Sequence, residues 1–318
     1  MTLKIRWTAI AVVAAAAAGF LIGNAWKDWR PQIAHAQAVV TPTQEPNDGK
    51  LHIIIIGAHP DDAEYRAAGV AMKWAKAGHH VKLVSATNGD IGHWDMAGGP
   101  LALRRRKEVT EVDRRLGAST EVLDIHDGEI TPTLEYRRMI TRLIRQWNAD
   151  IVITNRPNDY HPDHRYTSIL VQDAAYMVGV PFFTPDIPPL KRNPIFLYSS
   201  DRFQRPNPFR ADVAVGIDDV IDPTLDALLV MESQIHEGGA DGHAGLYPAD
   251  EPGRQKRRDE VRRTLANRYA AQANNNRDVL GQFYPADRAR NIKYAQAFEV
   301  CEYGRQPTKD ELKQLFVF

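Results

Sequence analysis

Between residues 51 and 178 the chain repeats one unit: a short apolar run rich in β-branched residues, then a longer amphipathic stretch. Strand-like runs fall at 51–58, 80–87, 120–125, 150–155 and 194–199, with a shorter one at 212–217. Helix-like runs lie between them at 62–77, 101–116, 133–147 and 164–178. In the third, Leu134, Met139, Ile140, Leu143, Ile144 and Trp147 recur at three- and four-residue steps with arginines between them. Strand, helix, strand repeated this way predicts an α/β fold, a Rossmann-like three-layer sandwich with a mostly parallel sheet covered on both faces. In such open sheets ligands sit beyond the carboxyl ends of the strands. Past residue 218 the pattern changes to a C-terminal helical extension. Helices are expected at 223–237, 255–275 and 285–295, a Gly-rich loop at 238–255, and a closing strand at 297–303.

The ends of the strands carry unusual chemistry. The first strand runs into AHPDDAE (58–64), which sets His59, Asp61 and Asp62 at a strand-to-helix turn. A lone aspartate there would be read as a helix N-cap; that reading leaves the histidine and the second acid unexplained. The fourth strand runs into NRPNDYHPDHRY (155–166), with His161, Asp163 and His164 at the matching joint. If the first and fourth strands are neighbours, both clusters meet at one edge. Two histidines and an aspartate are typical ligands for zinc or a similar divalent ion, and three protein ligands leave a position open for chemistry.

Composition bounds the alternatives. Lys plus Arg equals Asp plus Glu at 40 each, so no global field draws nucleic acid. The one cysteine, Cys301, excludes an intrachain disulfide and a thiolate cluster. After the first strand the chain has AHPDDAE where a dinucleotide-binding enzyme would have its Gly-rich phosphate loop. Residues 1–38 are set apart: Lys4 and Arg6 precede the apolar run 8–23, and AHAQA (34–38) offers small residues for cleavage. This is the pattern of a signal peptide or an uncleaved N-terminal membrane anchor. It predicts a chain exported to the periplasm or beyond the cell. A polar, proline-containing linker spans 39–50.

AHPDDAE together with HPDH resembles the paired motifs of the LmbE-like and PIG-L family of zinc-dependent de-N-acetylases. ATNGD (86–90), RRRKEVTEVDRRLG (104–117), DGEI (127–130), ESQIHE (232–237) and AQAFEVCEYG (295–304) resemble further landmarks. Glu232 stands where the family often has histidine. The resemblance covers roughly 51–303 and implies one LmbE-like domain over 51–318. It also implies roles. His59, Asp62 and His164 would hold Zn2+, or another divalent metal such as Fe2+. Asp61 would be the general base that takes a proton from the attacking water. His161 would stabilise the oxyanion or protonate the leaving amine, and Asp163 would orient it. Arg105, Asp127 and Asp90 would contact a sugar. The expected reaction is hydrolysis of an N-acetyl group on an N-acetylglucosamine-type sugar or glycoconjugate. The alternative is a metal-bearing sugar-binding protein without turnover. The expected partner is therefore a small-molecule or glycan substrate. Relatives of this kind often form homo-oligomers, so the resemblance also implies a homo-oligomer. Trp94, in a glycine-bounded loop, is a candidate substrate wall; Glu64, His93 and His126 are read as structural or solvated.

Overall fold

Four consecutive isoleucines, Ile53–Ile56, form strand β1 (His52–Gly57) and are all buried. Successive side chains of a strand point to opposite faces, so such a run requires a sheet covered on both sides. The computed structural model describes residues 48–318; the expected signal or anchor at 1–38 and residues 39–47 of the linker lie outside them. Ile53 and Ile55 pack into one core with Trp74, Leu83, Val109 and Ile153. Ile54 and Ile56 pack into the other with Ile140, Ile144, Val152 and Val171.

The remaining strands are β2 (His80–Ser85), β3 (Ser119–Val122), β4 (Ile151–Thr154), β5 (Ile195–Ser199), β6 (Val213–Gly216) and β7 (Ala295–Gly304). Together they make a seven-stranded sheet in the order β3-β2-β1-β4-β5-β7-β6. The first five positions are parallel, and β7 inserts antiparallel between β5 and β6. Helices α1 (Asp62–Lys76), α2 (Gly98–Leu116), α3 (Leu134–Gln146) and α4 (Pro162–Met177) form the crossovers. The strand order reverses between β1 and β4, which pair in register from Ile53↔Ile151 to Ile56↔Thr154. This is the switch point, where the crevice of a doubly wound sheet opens. The two motif clusters follow these two strands.

The C-terminal part adds α5 (Ile221–Leu228), α6 (Glu251–Asn275), α7 (Arg277–Phe283), α8 (Ala286–Asn291) and α9 (Lys309–Phe316). Here the expectations need correction. The helix expected at 223–237 ends at Leu228, and a separate π turn covers Glu232–His236. The loop expected at 238–255 stops at 250, because Asp250 caps α6 by accepting from the Gly253 N–H at 2.8 Å. The helix expected at 285–295 shortens to Ala286–Asn291, since β7 begins at Ala295.

Candidate active site

The turn after β1 is tight because Gly57 makes it so. A Cβ at Gly57 would lie 2.5 Å from the Asp62 Cβ, so only glycine lets α1 begin this close to the strand end. The Asp62 carboxylate folds back into that turn. Its Oδ2 accepts the backbone N–H groups of Ala58 (3.1 Å) and His59 (2.9 Å). Asp61 holds the N-cap position but its side chain makes no capping hydrogen bond. The simple cap reading therefore fails for both acids: one braces the turn, and the other is left for another task.

Around Asp62 Oδ2 two imidazoles converge. His59 Nδ1 lies 3.4 Å away, His164 Nε2 3.2 Å away, and the two nitrogens are 3.1 Å apart. The far side of each ring faces a carboxylate. His164 Nδ1 is 2.9 Å from Asp159 Oδ1. His59 Nε2 is 3.0 Å from Asp127 Oδ1 and 3.4 Å from Asp163 Oδ2, off the direction of a good hydrogen bond and otherwise unpartnered among the described residues. An ionised carboxylate only accepts, so these contacts place the ring protons on the far nitrogens. Lone pairs of His59 and His164 then face each other and Asp62, with no proton between them. Only a shared proton or a cation relieves that arrangement.

The donor set fits a metal ion. Ligands about 2.0–2.1 Å from a tetrahedral zinc stand about 3.3 Å apart, close to the three separations seen. A looser grouping also exists, in which nitrogens of His59, His161 and His164 lie within 4.8 Å of one another. The tighter set is favoured because Asp62 supplies the negative charge that a dication needs. The field agrees. Burial works against charge on His59 and His164, yet the surrounding carboxylates hold His59 well above the ordinary imidazole range and push His164 up to about 9.

Asp61 is partly buried beside this centre. Burial, then the Asp62 charge, pushes its carboxyl up to about 6, against the pull of Arg105, His59 and His164. His161 caps α4, and its Nδ1 accepts the Asp163 N–H at 3.2 Å. The neutral ring therefore carries its proton on Nε2. Its ring stands edge-on to His59 at 4.6 Å, which places His161 at the same centre.

The other expected residues have different duties from those anticipated. The Asp163 carboxylate was expected to orient His161. Its hydrogen bonds go to the N–H groups of Gly128 (2.6 Å) and Ile130 (3.2 Å), so it shapes the turn after β3. Arg105 is buried and donates to Gly92 O and Gln234 Oε1. It packs so closely on Gly89, which has φ +68°, that a Cβ there would meet its guanidinium at 2.7 Å. Asp90 accepts the Asp127 N–H at 3.1 Å and lies 2.7 Å from His126 Nδ1. Asp127 faces His59. All three lie at the site, where Arg105 Nη1 also faces Asp127 Oδ2 at 3.9 Å. Glu64 is buried against Asp113, and His93 contacts Glu237 at 2.9 Å. Trp94 donates its backbone N–H to Gly239 O, and the residue lines a cavity of about 240 Å³ with Arg104, His243 and Tyr247. Asp159, which fixes His164 and also meets Arg66 at 3.5 Å, was missed by the sequence reading. The only signal for it was an acid two residues before His161.

Comparison with known proteins adds to this geometry. Residues 54–175 match the model of the GlcNAc-PI de-N-acetylase (PIG-L) family. A probable N-acetyl-alpha-D-glucosaminyl L-malate deacetylase 2 of Bacillus anthracis is 30% identical over 134 residues, 39% of this chain and 58% of that protein. The chain thus spans well under two thirds of that relative. The 4-oxalmesaconate hydratase of Pseudomonas putida is 23% identical over 198 residues, 60% of this chain and 76% of that one. Among solved structures, N,N'-diacetylchitobiose deacetylase from Pyrococcus horikoshii shares the fold. Its TM-score is 0.59 at 24% identity, covering 78% of this chain and 83% of that one. The stretch that matches the PIG-L family model, residues 54–175, is the one that holds both halves of the site.

Proposed function

We propose that the protein hydrolyses the N-acetyl group of an amino sugar or glycoconjugate, releasing acetate and the free amine. The observation that carries this reading is the convergence of His59 Nδ1, Asp62 Oδ2 and His164 Nε2 beside an uncommitted Asp61. His59, Asp62 and His164 would hold a divalent ion, zinc or iron. Such an ion supplies Lewis acidity, polarising the amide carbonyl and easing ionisation of water. Asp61 takes a proton from the water that attacks the carbonyl carbon. A carboxylate whose pKa is lifted toward neutrality is a better base for that step than an ordinary one. His161, with its proton on Nε2, donates to the developing oxyanion or to the amine as the C–N bond breaks. Asp159 and Asp127 hold the two metal-facing imidazoles in the required tautomers. The activities by which the deacetylase relatives are named support an N-acetylated sugar as the substrate class. The export pattern of residues 1–38 adds that the substrate is met outside the cytosol.

The hydratase relative favours a second reading, addition of water across a carbon–carbon double bond at the same centre. The two readings differ in product. The test is acetate release from a panel of N-acetylated sugars by the zinc-loaded chain, with Asp61→Asn beside the wild type. Expected is release that falls by about a hundred- to ten-thousand-fold in the variant. Release that survives Asp61→Asn unchanged would remove the base assigned here. Absence of acetate, with loss of absorbance from an unsaturated diacid, would favour hydration.

A further inference from the structure

The opposite end of strand β1 holds a second group of metal-type side chains that the reaction above does not use. His52 begins β1 and His80 begins β2, and the two are register partners in this parallel pair. Their side chains therefore leave the same face, with ring centroids 4.7 Å apart. Asp48 closes the group, its Oδ2 lying 2.8 Å from His80 Nε2. One donor atom from each of the three lies within 4.8 Å of the others.

We propose that Asp48, His52 and His80 form a peripheral site for a borderline divalent cation such as Zn2+, Ni2+ or Cu2+. Two of the three ligands are already fixed from behind. His52 Nδ1 lies 2.9 Å from the Trp147 carbonyl oxygen, which can only accept, so Nδ1 carries the proton and Nε2 keeps its lone pair. Outer contacts of this kind set the tautomer of metal-binding histidines. Asp48 Oδ1 accepts the Lys50 N–H at 2.8 Å, which leaves Oδ2 to face the histidines. Two imidazoles and a carboxylate suit zinc, nickel and copper better than magnesium or calcium, which prefer all-oxygen shells. The site is open to solvent, and the remaining positions would be filled by water. Asp150 also lies beside the group, its Oδ2 accepting the His52 backbone N–H at 2.9 Å.

This site is separate from the catalytic one. The five steps from His52 to Gly57 span roughly 16 Å of strand, so one ion cannot serve both. It joins Asp48 to the first residues of both β1 and β2, and a bound ion would fasten residues 48–50 onto the amino-terminal ends of these strands. The proposal is independent of the reaction read at the other end.

The test is a zinc titration of the tag-free full chain after chelation, followed by calorimetry. His80 and Asp48 are exposed, so His80→Gln and Asp48→Asn leave the core untouched. Expected is a second equivalent of zinc in the wild type that is lost in His80→Gln and in Asp48→Asn. It should remain in His164→Ala, where the catalytic equivalent is lost instead. In the His164→Ala background, a Cu2+ resonance spectrum should show coupling to imidazole nitrogen that His80→Gln weakens. A second equivalent that persists in His80→Gln, or a wild type binding a single equivalent that only His164→Ala removes, would overturn the proposal. If the catalytic centre took up no metal, the His80-dependent equivalent would still be seen, so the two readings fail separately.

Discussion

At the scale of single residues, the site depends on which nitrogen of each imidazole carries the proton. His164 is the clearer case, because Asp159 Oδ1 faces its Nδ1 at 2.9 Å and Asp159 is itself buried. Asp159→Asn offers an amide that can turn its N–H2 toward the ring, which favours the wrong tautomer. Loss of such an outer partner weakens metal binding by about 10–100-fold. The expected outcome for Asp159→Asn is a zinc dissociation constant raised by that factor, with activity largely restored at saturating zinc. Competition with a chromophoric chelator measures the first, and a zinc titration of acetate release measures the second. A variant that bound zinc as wild type but stayed slow would give Asp159 a role in the chemistry itself. The sequence offered little to find this residue. Its carboxylate is held toward His164 by the local contact of Arg165 with the Asp159 carbonyl at 2.8 Å and by the distant Arg66, which donates to Asp159 Oδ2 at 3.5 Å.

At the scale of elements, legibility followed periodicity. Strands β1 and β4 could be placed because runs of four buried branched residues admit few other structures. The meeting of the two motif clusters required the first and fourth strands to be neighbours, which the strand order β3-β2-β1-β4-β5-β7-β6 supplies. The stretch from Leu229 to Asp250 could not be placed in this way, because its conformation is imposed from outside. The Ser233 hydroxyl and N–H both donate to Glu108 on α2, and Arg257 on α6 donates to the carbonyls of Ile235 and His236. These partners override a helix-like local pattern. A similar device holds the segment after α4. Arg145 of α3 is buried, and its guanidinium donates to the carbonyl oxygens of Met177, Val178, Val180, Thr184 and Ile187. The sequence reading took this arginine for one of several on the polar face of α3. Arg145→Met keeps much of the volume but leaves those carbonyls without their donor. Buried acceptors left unpaired cost about 1–3 kcal/mol each, reduced where water can enter. Arg145→Met is therefore expected to lower the unfolding free energy by several kcal/mol in urea melts. A change within about 0.5 kcal/mol, the range of ordinary surface substitutions, would show that the segment is held by other contacts.

At the scale of the whole molecule, the sheet carries charge at its ends, while two carboxyl side chains lie buried between the helices on one of its faces. Asp113 on α2 is fully buried beside Glu64 on α1, and Asp113 Oδ2 accepts from the Thr120 hydroxyl at 2.7 Å. Burial pushes the Asp113 carboxyl from 3.8 up to about 8, against the hydrogen bonds from Thr120 and Glu64. Its sign for stability is opposite to that of a salt-bridged aspartate. Between pH 3.8 and about 8 the folded chain keeps this proton and the unfolded chain has lost it. The unfolded state binds fewer protons there, so stability falls as pH rises through the window. Above about 8 the folded chain ionises too, and the loss levels off. An amide at position 113 reproduces the neutral form: its oxygen accepts from Thr120 and its N–H2 donates to Glu64. Asp113→Asn should therefore lose less stability than the wild type between pH 6 and pH 9 in thermal melts. The two should converge only toward pH 3.8 and below, where the unfolded wild-type carboxyl is protonated as well. Parallel curves across that range would mean that Asp113 is ionised in the folded chain and that Glu64 alone carries the proton.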